Sequence, residues 1–131
     1  MKPGNAGTVL LYNCPSAKFS KLQHIFAMLH LRMRMIGPDR YHLPLSDLAA
    51  GTGEPGPAEE PIPESMLVFC GLNQALLNQV LEIIRLAKLP PIPLKAVLTE
   101  TNRSWNTLQL RQELLQEQKA IADGERAHPP T

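Results

Sequence analysis

The alternation of apolar and polar positions divides the chain into two β-α-β cycles with a long polar segment between them. Each cycle opens with an apolar, β-prone run, over residues 8–14 and 66–70, and continues into a helix with an apolar stripe. Each cycle closes with a second strand, over residues 30–36 and 94–99. A last helix with Asn106 as its expected N-cap follows the second cycle.

The predicted helices differ in their start signals. Pro15 ends the first strand, and Ser16 is the expected N-cap of the first helix. Asn73 is the expected N-cap of the second helix, which has the most regular amphipathic pattern in the chain. In the last helix Gln109 occupies the capping-box position after Asn106.

The segment between the cycles has a different composition. Residues 37–64 contain six prolines and four glycines, and only residues 46–50 are expected to form a helical turn. A connection of this length indicates either a mobile segment or a functional lid. Residues 1–50 carry six basic and two acidic side chains, which suggests an acidic lid folding back on a basic half. The acids of the segment are Glu54, Glu59, Glu60 and Glu64.

The length of 131 residues predicts a single domain. We divide it into a first βαβ half (7–36), a Pro/Gly/Glu-rich loop (37–65), a second βαβ half with the C-terminal helix (66–122) and a frayed tail (123–131).

Two such halves favour an α+β fold, a ferredoxin-like βαββαβ sandwich with an extra C-terminal helix. That fold has four antiparallel strands and two helices on one face. A small doubly wound α/β sheet is the alternative. The sandwich places Cys14 and Cys70 at opposite ends of the sheet, because the first and third strands run antiparallel. A parallel sheet places both at the same carboxyl edge.

Composition narrows the function classes. With 44% hydrophobic and 19% charged residues, the chain is expected to fold rather than to be disordered or to form a coiled coil. A net charge of +1 gives no global reason to expect nucleic acid or an anionic membrane. The two cysteines belong to no CxxC or Cys/His cluster, which favours a reducing compartment. No apolar run approaches the length of a membrane span. We therefore expect a cytoplasmic protein without a membrane partner.

The sequence from Leu94 to Trp105 carries a family resemblance. Its Leu-Lys-Ala-Val-Leu-Thr-x-x-Asn-x-x-Trp motif follows a Met-Leu-Val strand and a helix, and precedes a Glu-rich helix. Over about residues 64–118 this pattern resembles a family of small bacterial proteins, the domain of unknown function DUF3783. Cys14 and Cys70 lie outside that pattern. The resemblance implies no activity, because none is assigned to the family.

The first candidate site lies around the fourth strand and consists of Lys95, Thr99, Asn102 and Trp105. A cation, a hydroxyl, an amide and an indole near a helix N-terminus are suited to holding a carboxylate or phosphate. The same residues also suit a structural role. In that role Asn102 and Thr99 close the turn, and Trp105 anchors the helix.

The second candidate is a basic row on the second strand, formed by Arg32 and Arg34 with His30 nearby. On an open face this row suits an anionic ligand or nucleic acid. The alternative is an edge strand whose charges block unwanted strand pairing, and we favour it.

Other chemistry has weaker support. A reactive Cys14 or Cys70 needs a base or a second thiol, and no histidine is placed near either by sequence, so buried inert thiols are favoured. The sequence contains no motif for a metal, a nucleotide or a nucleophilic triad, so we expect no metal, no cofactor and no catalytic residues. We expect a protein-interaction or regulatory module that binds a protein partner or itself. A domain that senses a small anion or metabolite through the Lys95–Trp105 region is the alternative, and nucleic acid is not favoured.

Overall fold

The computed structural model describes residues 7–127, with side chains through residue 123. The strands are β1 (Thr8–Tyr12), β2 (Arg32–Met35), β3 (Met66–Cys70) and β4 (Leu94–Val97). The helices are α1 (Ser16–Met28), α2 (Leu45–Ala50), α3 (Gln74–Leu86) and α4 (Thr107–Ala127), with a 3-10 turn at Pro38–Arg40. The α+β class and the order of the predicted elements are confirmed.

The strands form one mixed sheet in the order β2-β1-β3-β4. The central pair β1 and β3 is antiparallel, with Thr8 opposite Cys70 and Tyr12 opposite Met66. Both outer pairs, β1 with β2 and β3 with β4, are parallel. Cys14 and Cys70 consequently lie at opposite ends of the sheet, as the sandwich predicted.

The ferredoxin-like arrangement of four antiparallel strands is nevertheless wrong in its outer pairings. Each outer strand lies directly beside the strand to which its helix connects it, and no strand separates the two. A sandwich would need β2 beside β3, which a short connection favours. Here the connection spans residues 36–65 and crosses the sheet with its own helix, so β2 is free to occupy the far edge. The all-parallel alternative is wrong as well, since the central pair is antiparallel.

Both faces of the sheet are covered, because alternate residues of the central strands point to opposite sides. On one face Val9, Leu11, Leu67 and Phe69 pack with the apolar stripes of α1 and α3. On the other face Leu10, Tyr12 and Val68 pack with residues of α2 and α4. The helices α1 and α3 thus share one face, as in the sandwich, and α2 and α4 cover the opposite face.

The start signals of two helices are confirmed and one is wrong. The Asn73 side chain accepts the Leu76 amide at 2.8 Å, and the Asn106 side chain accepts the Gln109 amide at 2.9 Å. Pro15, not Ser16, is the cap residue of α1. Ser16 lies within the helix, and its hydroxyl bonds with Gln23 instead. Pro15 provides extended backbone there but no side-chain acceptor.

The Pro/Gly/Glu-rich loop contains the helical turn expected at 46–50, as part of α2. The rest of the loop is held by hydrogen bonds within the loop and to the residue that follows β1. The Gly56 amide bonds to the Asp39 carbonyl at 2.8 Å, and the Asn13 amide group bonds to the Pro63 carbonyl at 3.0 Å. The predicted tail begins within a helix, because α4 continues to Ala127. Residues 128–131 lie outside the described part.

Candidate functional site

The four residues predicted around the fourth strand line one groove between β4 and α4. Its cavity volume is about 390 Å³. One side is formed by Lys95, Ala96 and Val97 of β4, and the end by the turn that follows. The opposite side is formed by α4 residues Leu110, Glu113, Leu114 and Glu117.

β4 is an edge strand, so one side of its backbone has no strand partner. The Leu98 amide bonds to the Phe69 carbonyl of β3 at 2.9 Å, which directs the peptide groups of Ala96 and Leu98 into the sheet. Those of Lys95 and Val97 therefore point outward. The outward Val97 carbonyl accepts the Asn102 side-chain amide at 3.0 Å. The amides of Lys95 and Val97 and the carbonyl of Lys95 are left at the open edge.

Asn102 and Thr99 hold the turn at the end of the groove. The Asn102 side-chain oxygen accepts the Thr99 amide at 2.8 Å, and the Thr99 hydroxyl accepts the Asn102 amide at 3.2 Å. With its bond to Val97 and its carbonyl accepting the Trp105 amide at 2.9 Å, buried Asn102 makes four hydrogen bonds inside this turn. Its polar atoms are thus already occupied.

The same turn fixes the neighbouring elements. The carbonyls of Trp105 and Arg103 accept the first two amides of α2, from Leu45 at 2.8 Å and Ser46 at 3.0 Å. These amides have no partner within their own helix. At the start of α4, the Thr107 hydroxyl bonds with the buried Tyr12 hydroxyl at 2.8 Å. Trp105 itself is half-buried and packs against the core.

The charges of the groove are mainly negative. The Lys95 ammonium group donates to the Ile92 carbonyl at 2.9 Å and pairs with no carboxylate among the described side chains. Glu113 is half-buried and Glu117 exposed. Within the described side chains neither is part of an ion pair. Glu113 and Glu117 are not among the residues predicted from the sequence, although their i, i+4 spacing places both on one helix face.

The basic row of the second strand does not form one surface. β2 is an edge strand, as predicted. The Arg34 guanidinium bonds to the carbonyls of Ala49 at 3.2 Å and Ala50 at 3.5 Å, at the C-terminus of α2. His30, with φ of 61°, follows the C-cap residue of α1 and lies outside the strand. On β2 itself, Arg32 is the one basic residue whose side chain is exposed and has no bonded partner in the described structure.

Arg34 also explains the glycine that follows α2. Gly51 has φ of 76°, a left-handed conformation suited to a helix C-terminus. A side chain at this position would meet the Arg34 guanidinium at 2.5 Å. Gly51 therefore lets the guanidinium lie against the helix end, where its charge complements the helix dipole.

Both cysteines are buried and free, as expected for inert thiols. Burial raises the pKa of the Cys14 thiol to about 11 and that of the Cys70 thiol to about 12. The position of Cys14 before a helix does not offset this burial. Because the thiolate is the reactive form, neither side chain is suited to nucleophilic work at neutral pH.

The acidic loop does not pair with the basic strand. Of its carboxylates, Glu64 alone forms an ion pair within the described residues, and its partner is Arg111 of α4. The contact is bidentate, with distances of 2.7 and 2.8 Å. Hydrogen bonds from Arg111 lower the pKa of Glu64. Among the described residues, no glutamate of the loop forms an ion pair with Arg32 or Arg34, so the acidic-lid hypothesis has no support from these contacts.

Metal-ligating side chains do not converge in groups of three or more anywhere in the part of the chain that the structure describes. His24, His30 and His42 are dispersed there, and His128 lies outside it. None of the described helices is long and apolar enough to cross a membrane.

The fold and the groove define a small α+β domain with a mixed sheet that is open at both edges. Residues 65–121 match the model of a domain of unknown function, DUF3783, which confirms the resemblance seen around the Leu-Lys-Ala-Val-Leu-Thr motif. The match covers less than half of the chain. Neither the curated proteins nor the solved structures gave a significant match.

Proposed function

We propose that this protein is an interaction module that binds an extended segment of a partner protein at the edge of β4. The observation that carries the proposal is the open β4 backbone beside an apolar groove. Outward peptide groups at Lys95 and Val97 match the hydrogen-bonding pattern of an added strand. Ala96, Trp105 and Leu114 supply apolar surface for alternate side chains of that strand.

The family match favours β4 over the other open edge. A second groove, of about 310 Å³, follows β2 and includes Met33, Arg34 and Gly51. All residues of the β4 groove lie within the matched range 65–121, and none of the β2 groove does. A function that this chain shares with the family is therefore expected at β4.

A different protein is a better occupant than a second copy paired through the same edge. Twofold pairing of β4 with β4 would bring the Glu113 and Glu117 side of one copy towards that of the other. Like charges in such an interface oppose association. Self-association remains a measurable outcome, because it would make the mass in solution depend on concentration.

We do not favour the anion-sensing alternative. The polar groups of Thr99 and Asn102 are engaged in the turn, and the Lys95 ammonium is bonded to the Ile92 carbonyl. Glu113 and Glu117 line the same groove and would repel a carboxylate or phosphate.

The test compares two proline substitutions at outward-facing strand positions. Val97→Pro removes an outward amide of β4, and Met35→Pro removes the corresponding amide of β2. Each leaves the bonds inside the sheet, and circular dichroism checks that each variant folds. Tagged protein is used to recover partners after nuclease treatment, and hydrogen exchange is followed on the recovered complex.

We expect Val97→Pro, but not Met35→Pro, to lose the partner, and residues 94–98 to be protected from exchange in the wild-type complex. Loss through Met35→Pro alone would overturn the proposal, and so would a partner that leaves the exchange of residues 94–98 unchanged. Should Val97→Pro fail to fold, the exchange measurement decides alone. A partner lost on nuclease treatment would point to nucleic acid instead.

A further inference from the structure

We infer that the segment bound at β4 carries two basic side chains two residues apart. This inference rests on the proposed function and specifies the chemistry of the partner. It is carried by the placement of Glu113 and Glu117 opposite the open strand edge.

The α4 helix runs alongside β4 in the opposite direction. Its start lies next to the turn at the end of β4, where Trp105 closes the groove. Further along, the Gln118 side chain donates to the Pro93 carbonyl at 2.8 Å, immediately before β4 begins. A strand added to β4 therefore passes along the same stretch of helix that carries both carboxylates.

The spacings of helix and strand agree. Residues four apart on a helix are separated by about 6 Å along its axis. Residues two apart on a strand are separated by about 6.6–6.8 Å and point to the same side. Two lysine or arginine side chains in a basic-x-basic segment would therefore face Glu113 and Glu117, one each.

Charge complementarity selects this occupant over a neutral or acidic strand. Glu113 is half-buried and has no cationic partner within the described side chains. Lys95 is the one basic residue of β4, and its ammonium group is bonded to the Ile92 carbonyl. A carboxylate in this setting gains more from an incoming ammonium or guanidinium than one in bulk water.

The experiment uses short fluorescein-labelled peptides in which threonine and valine alternate. The first has two lysines two residues apart, the second has two lysines three apart, and the third has glutamates in place of the lysines of the first. Binding to the full chain is measured by fluorescence anisotropy at low salt. The variant is Glu113→Gln with Glu117→Gln, and the control is Glu59→Gln with Glu60→Gln, which changes the charge equally on the exposed loop.

We expect the first peptide to bind most tightly, with affinity about tenfold weaker for the groove variant and unchanged for the control. Added salt should reduce that difference. Equal binding of the first peptide to the groove variant and the wild type would overturn the basic-segment inference. If Val97→Pro still abolished that binding, strand addition itself would stand. If no peptide showed a rise in anisotropy at a protein concentration of about 1 mM, both the basic-segment inference and strand addition at β4 would be overturned.

Discussion

Asn102 shows how a residue that looks like a ligand contact can be committed to the fold. Its side chain bonds to the Thr99 amide and the Val97 carbonyl, and its own amide bonds to the Thr99 hydroxyl. In this turn the carbonyls of Arg103 and Trp105 accept amides of α2, and α4 begins directly after it. A binding role for the groove therefore depends on Asn102 through shape rather than through direct contact.

We expect Asn102→Ala to lower the free energy of unfolding by about 2 kcal/mol, because it removes two side-chain hydrogen bonds of a buried residue that hold the turn. Urea unfolding followed by circular dichroism measures the change. Asn106→Ala is the matched control. It removes a single helix cap and should cost about 1 kcal/mol. Equal costs for the two variants would show that the turn does not depend on the Asn102 network.

Glu64 makes stability depend on pH. Arg111 lowers its pKa in the folded state, so the unfolded chain binds more protons as the pH falls. The stabilisation is present above the unfolded pKa of about 4.3 and is lost as the pH falls through the lowered folded value. We expect Glu64→Gln to cost about 1 kcal/mol at neutral pH and progressively less below about pH 4.

Thermal or urea unfolding across this pH range measures the effect. Glu60→Gln, an exposed carboxylate without an ion pair in the described structure, is the control and should leave the profile unchanged. A deficit for Glu64→Gln that stays constant down to acid pH would exclude the ion pair as its cause.

At the scale of elements, α2 is held at both ends by other parts of the chain. Its first amides bond to the carbonyls of Trp105 and Arg103, and its last carbonyls accept the Arg34 guanidinium. A helix this short is not stable by itself. Its position over the sheet therefore depends on these contacts and on buried Leu45 and Leu48.

Arg34→Ala tests one end of this arrangement. We expect it to lower the free energy of unfolding by about 1 kcal/mol, through the loss of charge-assisted bonds at a helix C-terminus. Arg32→Ala removes the same charge from the same strand without these bonds, and its effect should stay within about 0.5 kcal/mol. Hydrogen exchange should also show faster opening of residues 45–52 in Arg34→Ala alone. Identical behaviour of the two variants would remove the capping role.

At the scale of the whole molecule, the family-matched segment is not a separate structural unit. β3 pairs along its full length with β1, Thr107 bonds to Tyr12, and Arg111 bonds to Glu64. All three contacts cross the boundary of the match at residue 65.

We therefore expect a fragment of residues 65–121 to remain unfolded in isolation. Its central strand would have an open edge where β1 belongs, and each face of its sheet would lose a helix, α1 on one face and α2 on the other. Circular dichroism and amide dispersion in a heteronuclear NMR spectrum test this, with the intact chain as the reference. Cooperative unfolding of the isolated fragment would show that the match defines an autonomous domain.

The sequence predicted the elements well and their pairing poorly. The Asn73 and Asn106 caps act within a few residues of the helix starts, so these starts could be predicted from the local sequence. The choice between β1 and β3 as the neighbour of β2 depends on how residues 37–65 cross the sheet, and no local signal encodes that. For the same reason, only part of the groove lining could be predicted from the sequence. Lys95 and Trp105 are close in sequence, whereas Glu113 and Glu117 reach the groove only through the packing of α4.

The two open edges of the sheet have opposite charge character, and this has a consequence for assembly. β2 itself carries the sequence Arg32-Met33-Arg34, which is a basic-x-basic strand at an exposed edge. Insertion of this edge into the β4 groove of another copy would be a head-to-tail contact, and such contacts propagate into filaments unless the rotation between copies closes a ring. The bonds of Arg34 to α2 withdraw one of the two required charges. The same guanidinium that holds a short helix in place would thus also protect the protein from polymerising.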